Sequence, residues 1–581
     1  MPHLPGPRGQ TAVVIGAGLG GLAAAMRLGA KGWRVTVLDR LDSAGGRGSA
    51  IHRDGYRFDL GPTIVTCPQV FRDLWATCGR DFDKDVSLRA LDPFYEIRWP
   101  DGSVFTARGS TEKMVEEIRR LSPGDVDGYL KFLGDAHRRY VVGFEGMVAK
   151  PMHRFRDTAK VLPEFAVLRA DRSILGLANA RVRDPRLRMA LSFHPLFIGG
   201  DPRHVTSMYA LVSHLEKEFG VHYAIGGVAA IAEAMRDVIL GQGGAVRFGQ
   251  TVDKIEFEGN RASGVRLEDG QKIPADIVVS NADPGNTYDH LLRDRPRKRW
   301  TGARLERTRW SMGLFVWYFG TMGTRDLWKD VGHHTILSGP RYEGLLKDIF
   351  TSGTLADDMS LYVHRPTVTD PSAAPDGDDV FYALSPVPHL GHENPVDWNA
   401  MAESYRQKVQ ETLEQRLLPG LGQHLSASEI FTPETFRDRY LSPHGCGFSI
   451  EPRILQSAWF RPHNVSEEAE GLYLVGAGTH PGAGLPGVVS SAEVLAKLVP
   501  DAQRDEDWRV AADCSIRAIY TSAATRSSTG RFRSTPRPSC CRPRCATRRW
   551  RFMRSAGWRM TRLTCTRKRS MPSCVFATGW T

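Results

Sequence analysis

Cysteine is scarce in most of this chain. Of nine cysteines in 581 residues, only Cys67, Cys78 and Cys446 precede residue 511. Three such widely spaced thiols make neither a zinc pattern nor a disulfide framework, which fits a reducing compartment. Long apolar runs are also missing. No stretch reaches about 18 consecutive apolar residues, so no transmembrane helix is expected. The N-terminal MPHLPGPRGQ contains no apolar run with a cleavage site, and the apolar stretch behind it is broken by glycines, so no signal peptide is expected. Acidic residues are lacking only at one end. From Ala511 to Thr581 there are 16 Lys+Arg and one Asp+Glu; taking these from the totals of 77 and 65 leaves 61 and 64, a charge of −3, for residues 1–510. The net charge of +12 is therefore a property of the tail, and no nucleic-acid partner is expected from it. Neither a Ser-His-Asp arrangement nor a metal-ligand cluster stands out in the sequence, so no metal is expected. At 41% hydrophobic and 24% charged the composition is globular, and the length suggests two to four domain-sized units.

Glycine is abundant, and its placement is informative. Thr11 to Ile15 reads as a short buried strand. Gly16, Gly18 and Gly21 follow as G-x-G-x-x-G, with Gly20 as an extra, and Leu22 to Leu28 reads as a helix. Arg34 to Leu38 is a second strand, closed by Asp39 with Arg40 beside it. This is a complete dinucleotide-binding fingerprint: glycines admit a pyrophosphate to the helix N-terminus, and the acid accepts from a ribose hydroxyl. Gly45, Gly46 and Arg47 add a second glycine pair with an arginine for phosphate oxygens. Far downstream, Gly471 to Gly487 (GLYLVGAGTHPGAGLPG) reads as another strand and glycine loop, with a helix from Val488 to Leu498.

Between these ends the chain makes an excursion and returns. Thr251 to Phe257, Ala262 to Leu267 and Lys272 to Ser280 alternate like antiparallel strands, with Glu268-Asp269-Gly270 as a turn. Trp310 to Gly320 (WSMGLFVWYFG) fits either a strand floor beneath an apolar ligand or a core strand. Residues 145–200 mix basic and apolar residues, and part of this region reads as membrane-facing or as an ordinary solvated face.

The stretches VVIGAGLGGLAAAMRL, GGR, FDLGPTIV, ALSFHPLFIGGDP, VVSNAD, LYVHRPTVTDPSAAP, FYALSPVPHLG, LQSAWFRPHN and YLVGAGTHPGAGLPG closely resemble the bacterial and fungal type of phytoene desaturase, FAD-dependent carotenoid dehydrogenases of the amine-oxidase-like flavoprotein superfamily. The resemblance covers residues 11–500. It implies an α/β (α+β) fold: a Rossmann-like FAD-binding domain from residues 1–90, 240–285 and 430–500, interleaved with a substrate-binding region from residues 90–240 and 285–430 that contains an antiparallel sheet and a helical, membrane-facing part. It implies FAD as cofactor. By position, Gly16, Gly18, Gly20, Gly21, Asp39, Arg40, Gly45, Gly46 and Arg47 would hold the ADP half. Gly61, Pro62, Thr63, Val252, Gly476, Gly478, Thr479, Gly487 and Val488 would enclose the rest. Many relatives carry Glu where this chain has Asp39, which is the same chemistry with a shorter reach.

The reaction so implied is successive dehydrogenation of phytoene and partly desaturated carotenes to neurosporene or lycopene. Alternatives are a sister dehydrogenase acting on hydroxy- or methoxyneurosporene, and a non-enzymatic prenyl-lipid carrier. A bilayer-resident C40 substrate implies peripheral attachment at the cytoplasmic side of the inner membrane. The protein contributes alignment and desolvation, and a base for the proton is optional in principle. Asp157, tuned by Lys160 one helical turn later, is the candidate base, with a surface ion pair as the alternative. His194 and His204 read as structural hydrogen bonders near the pocket.

From about residue 511 the hydrophobic periodicity stops and Arg, Ser, Thr, Cys and Trp dominate, so residues 505–581 are expected to be a tail without a stable fold. Read one base over, Ser539 to Thr564 permits a peptide resembling the start of a phytoene synthase, with its D-D-x-x-D motif. The tail is then an out-of-frame reading of a pathway neighbour. A nucleotide sequence that fails to give that peptide in the shifted frame would refute this.

Overall fold

The fingerprint at residues 11–38 is the centre of a five-stranded parallel sheet. In the computed structural model, which describes residues 9–503, Thr11–Ile15 lies between Arg34–Leu38 and Ile277–Ser280, with Ala245–Arg247 and Leu472–Leu474 at the edges. Every pairing is parallel. Both faces are covered, which is why Val13, Val14, Val35, Val37, Val278 and Val279 run on without polar alternation. Helices Leu19–Ala30, Gly227–Gly241 and Leu485–Leu498 pack together on one face, and their shared core includes Leu22, Met26, Ile231, Met235 and Val489. The last helix begins at Leu485, three residues before the expected Val488, because Pro486 in its first turn loses no hydrogen bond there.

The excursion through residues 251–280 forms three antiparallel strands, Val252–Glu258, Arg261–Leu267 and Lys272–Pro274. One expectation needs correction. Lys272 to Ser280 is not one strand: Lys272–Pro274 pairs with Gly264–Arg266, and Ile277–Ser280 crosses to the parallel sheet. Pro274 has no N–H to extend the first ladder. Asp276 Oδ2 accepts from the N–H of Thr11 at 2.7 Å and its hydroxyl at 3.0 Å, pinning the start of the next strand.

A second, mixed sheet has seven strands. Its order is Leu425–Phe431, Gly313–Thr321, Asp379–Val387, Leu361–His364, His334–Leu337, Tyr95–Arg98, Val104–Ala107. Neighbours are antiparallel except His334–Leu337 with Tyr95–Arg98, which run parallel. The aromatic run explains itself here. Phe315, Trp317 and Phe319 point to one face and pack with Trp398, Tyr405 and Val409 of helix Trp398–Arg416. Leu314, Val316 and Tyr318 point to the other. Period-two alternation therefore gives one strand both readings, a core face and a floor. Each such buried aromatic stabilises the sheet by about 1.5–3 kcal/mol. Short helices spanning residues 111–219 cover the floor face. None of the helices among the described residues is long and apolar enough to cross a membrane. Residues 9–503 form one compact unit in which both sheets draw strands from distant parts of the chain. The tail read as residues 505–581 lies outside the described residues.

Candidate cofactor and substrate site

One cavity of about 600 Å³ runs from the glycine loops to the floor of the large sheet. Its polar end is built by the fingerprint. Helix Leu19–Ala30 starts at Gly18 without a side-chain cap, so its first N–H groups remain available to an anion. Gly21 lies under the loop instead of lining it; a methyl there would overlap the Gly16 carbonyl. At Gly20 a methyl would sit 2.6 Å from Asn281 Oδ1 and 3.0 Å from Gly476 Cα. The glycines thus bring three chain segments together at one side chain, Asn281. Asp39 is held by its own loop: Oδ2 accepts from Ala17 N at 2.6 Å and Oδ1 from Leu41 N at 2.8 Å. Burial raises its pKa. Arg40 donates to the carbonyls of Asp438 at 2.6 Å and Arg439 at 3.2 Å. Arg47 bonds Ser442 and lies over the Tyr440 ring, with its Nε buried and unpartnered.

Gly16, Gly18, Gly20, Asp39, Arg40, Gly45, Gly46, Arg47, Gly61, Pro62, Thr63, Val252, Gly476, Gly487 and Val488 all line this cavity. Gly478 and Thr479 do not. They form the buried underside of the second loop, where a methyl on Gly478 would overlap Pro284 and Ser449. Several contributors carry no motif of their own. Asn281 and Asp283 line the cavity from the end of strand Ile277–Ser280, and their signal, VVSNAD, is visible only as resemblance. Asp283 Oδ1 accepts from Gly285 N at 3.0 Å while Oδ2 has no partner; burial raises its pKa against the charge of Arg47. Asn464 donates to the carbonyls of Leu474, His480 and Ser491, and buried Arg461 donates to those of Ile450 and Ala477. These side chains hold the second glycine loop from beneath, and their signal, LQSAWFRPHN, is visible only as resemblance.

The other end of the cavity is apolar, lined by Phe144, Met147, Phe165, Leu196, Phe197, Met208, Leu211, Leu314, Val316, Leu384 and Phe448. Three tyrosines from three strands stand at the junction. Tyr318 donates to the Leu60 carbonyl at 2.9 Å, Tyr382 to that of Gly61 at 3.2 Å, and Tyr362 shares a 2.7 Å hydrogen bond with Thr63 Oγ1. Their hydroxyls are spent on clamping residues 60–63 to the floor, so the rings present hydrocarbon to the cavity.

The acid–base groups expected from the sequence are only partly matched by position. Asp157 and Lys160 form a 3.4 Å ion pair in which Lys160 is 73% exposed; it is Thr158 and Leu162 of this segment that line the cavity. His204 pairs with Asp201 at 2.8 Å and does not line it. His194 does. Its Nε2 lies 3.1 Å from Glu216 Oε2 and 3.2 Å from Tyr95 OH, and both His194 and Glu216 are buried on the apolar wall. The expectation of no metal-ligand cluster is corrected by the fold, which brings His333, His334 and His364 together behind the wall.

The residues present fit a flavin dinucleotide: an uncapped helix end, glycine faces that a Cβ would fill, an oriented acid, and a half-buried arginine whose Nε is unpartnered. Residues 19–499 match the family described as flavin containing amine oxidoreductase. The chain belongs to the flavin-containing amine oxidoreductase family. It is therefore a flavin-dependent oxidoreductase, and FAD is its cofactor. It is 66% identical over 505 residues to a neurosporene-forming phytoene desaturase of Cereibacter sphaeroides, covering 87% of this chain and 97% of that protein. It is 41% identical over 493 residues to a lycopene-forming phytoene desaturase of a Paracoccus species, covering 85% and 98%. An oxidoreductase from Methanosarcina mazei shares the fold at TM-score 0.58 and 20% identity, over 84% of this chain and 100% of that one.

Proposed function

We propose that this protein is a phytoene desaturase that forms neurosporene by successive dehydrogenation. The observation that carries the reading is the continuity of one cavity from the dinucleotide cradle to a long apolar lobe. The stronger likeness to a neurosporene-forming than to a lycopene-forming relative supports the product. Held by the glycine cradle, Asp39 and Arg47, FAD would supply the hydride acceptor for the allylic hydrocarbon. The chain's own residues do the rest. Leu314, Val316 and Leu384 give the polyene a flat support, and the clamped tyrosines fix where the lobe meets the cradle. A hydrocarbon offers no polar handle, so orientation comes from shape and from exclusion of water. The proton left by hydride removal is assigned to the His194–Glu216 pair, which faces the cavity, in preference to Asp157, which faces Lys160 at the surface.

The same reading includes a membrane-resting rim. Phe155, Leu162, Val167, Ile454 and Leu455 are exposed apolar side chains, and Leu162 and Ile454 also line the cavity. Phe155 packs edge-on against Trp459 at 5.3 Å, joining the two rim segments. Exposed Lys150, Arg154, Arg156, Lys160 and Arg169 lie in the same segment as Phe155, Leu162 and Val167, with Lys160 paired to Asp157 and Arg169 to Asp171. An apolar patch with cations close by in the chain suits an anionic bilayer surface, from which the substrate would enter without crossing water.

Expression of the full chain in a host that accumulates phytoene, followed by pigment analysis, tests the reaction. Neurosporene is expected. Lycopene would correct the number of steps. Unchanged phytoene beside folded, flavin-loaded protein would sink the proposal and favour a dehydrogenase of oxygenated carotenes.

A further inference from the structure

Behind the clamped tyrosines lies a group of histidines that the dehydrogenation does not use. His334 and His364 are directly opposite each other on antiparallel strands His334–Leu337 and Leu361–His364, and His333 immediately precedes the first strand. All three are buried, and one ring nitrogen from each falls within 4.8 Å of the others. Their remaining hydrogen bonds sort the nitrogens. His333 Nδ1 lies 2.6 Å from Thr369 Oγ1, and His334 Nδ1 lies 2.6 Å from Tyr362 OH. That leaves Nε2 of His333 and of His334 without any partner, and neither nitrogen of His364 has one. The nearest carboxylate oxygen to His364 Nε2 is Asp59 Oδ2, at 3.6 Å, and Asp59 is itself oriented by the Tyr223 hydroxyl at 2.8 Å.

Unpartnered polar atoms in a protein interior are rare because each forfeits its hydration, and several at one point call for an occupant. A buried neutral imidazole that donates from Nδ1 keeps a lone pair on Nε2. Three imidazole lone pairs in one place are a donor set for a late first-row divalent cation. The Nδ1 contacts of His333 to Thr369 and of His334 to Tyr362 are the kind of outer hydrogen bonds that hold metal-ligating histidines in one tautomer and one orientation.

We propose that His333, His334 and His364 form a binding site for a zinc-like divalent cation, three-coordinate through protein nitrogens and open at a fourth position to water. The ion's place is structural. It ties the strand ends together and, through His334, fixes the Tyr362 hydroxyl that grips Thr63 on the cavity wall.

The test uses untagged, full-length, chelator-treated protein titrated with Co²⁺. One equivalent is expected to bind, with visible ligand-field absorption of a low-coordinate nitrogen site, and Zn²⁺ should bleach it. His333→Gln and His364→Gln should abolish the bands, while Thr369→Val should weaken binding by about 10- to 100-fold. Far-UV circular dichroism of the variants checks that they fold. Wild-type protein that takes up no stoichiometric cobalt overturns the proposal without reference to any variant. So do bands that persist undiminished in His364→Gln. The readout is independent of flavin and carotene, so its failure would leave the dehydrogenase reading untouched.

Discussion

The Gly20→Ala substitution isolates what the glycine cradle does. An added methyl would stand 2.6 Å from Asn281 Oδ1 and 3.0 Å from Gly476 Cα. Asn281 cannot easily yield, because Gly16, Gly18 and Gly476 crowd the same side chain. Overpacking of this kind costs about 1–3 kcal/mol. Expressed as cofactor affinity, that is a loss of about 5- to 150-fold. Flavin-fluorescence titration of the FAD-free protein measures it, and thermal unfolding of the same preparation separates damage to the fold. Asn281→Ala should cost about 1 kcal/mol by itself, through the amide it presents to the cavity. In the Asn281→Ala background most of the Gly20→Ala penalty should vanish, since only the backbone of Gly476 then opposes the methyl. A coupling of at least about 1 kcal/mol is expected from this cycle. Additive effects, or wild-type affinity in Gly20→Ala, would refute the account of three segments meeting on one side chain.

Glu216→Gln should lower the desaturation rate by about 100-fold, whereas Asp157→Asn should change it by less than about threefold, as expected for general-base loss against an exposed ion pair; turnover with phytoene in liposomes ranks them, and the reverse order would return the proton to Asp157. His480 is buried with Nε2 3.0 Å from the Lys150 carbonyl, and burial pushes its pKa down to about 4. The unfolded chain titrates it near about 6.5. The folded state then binds fewer protons, so this contribution is complete above about pH 6.5 and about 3 kcal/mol is lost by about pH 4. His480→Gln should flatten that part of the melting-temperature profile, and parallel profiles would contradict it. At the rim, the triple change Phe155→Ser, Val167→Ser and Leu455→Ser removes three exposed apolar side chains and should weaken sedimentation with anionic vesicles by at least about 100-fold. Unaltered binding would place the membrane contact elsewhere.

The cavity's two ends are coupled by the segment Leu60–Thr63. It supplies the cradle with Gly61 and Pro62 and is held by hydroxyls from strands Gly313–Thr321, Leu361–His364 and Asp379–Val387. Three hydrogen bonds of about 1 kcal/mol each favour one placement of this segment over many. The same tyrosines bury their rings in the core of the large sheet, so core packing and site geometry are one structure.

Residues 11–39 determined their own conformation and chemistry. Buried β-branched strands, a helix uncapped at glycine and an acid at the second strand's end are local properties; both strands appear where the spacing places them, and the helix runs Leu19–Ala30, beginning three residues before the expected Leu22. The second glycine loop was legible for the same reason. The aromatic run Trp310 to Gly320 announced a strand, but only the fold assigned Phe315 to the core and Val316 to the cavity, because period two states that faces differ without saying which is which. The break within 272–280 depended on Asp276 meeting Thr11, a contact across 265 residues. Asp157 and Lys160 had the spacing of a working pair, and tertiary packing left Asp157 half-buried against an exposed Lys160, with neither lining the cavity. His194 meeting Glu216, and His333 and His334 meeting His364, join residues between 22 and 31 positions apart on separate elements. No periodicity carries such information. Burial gives these side chains their chemistry, and burial is decided only when the sheets and helices close around them.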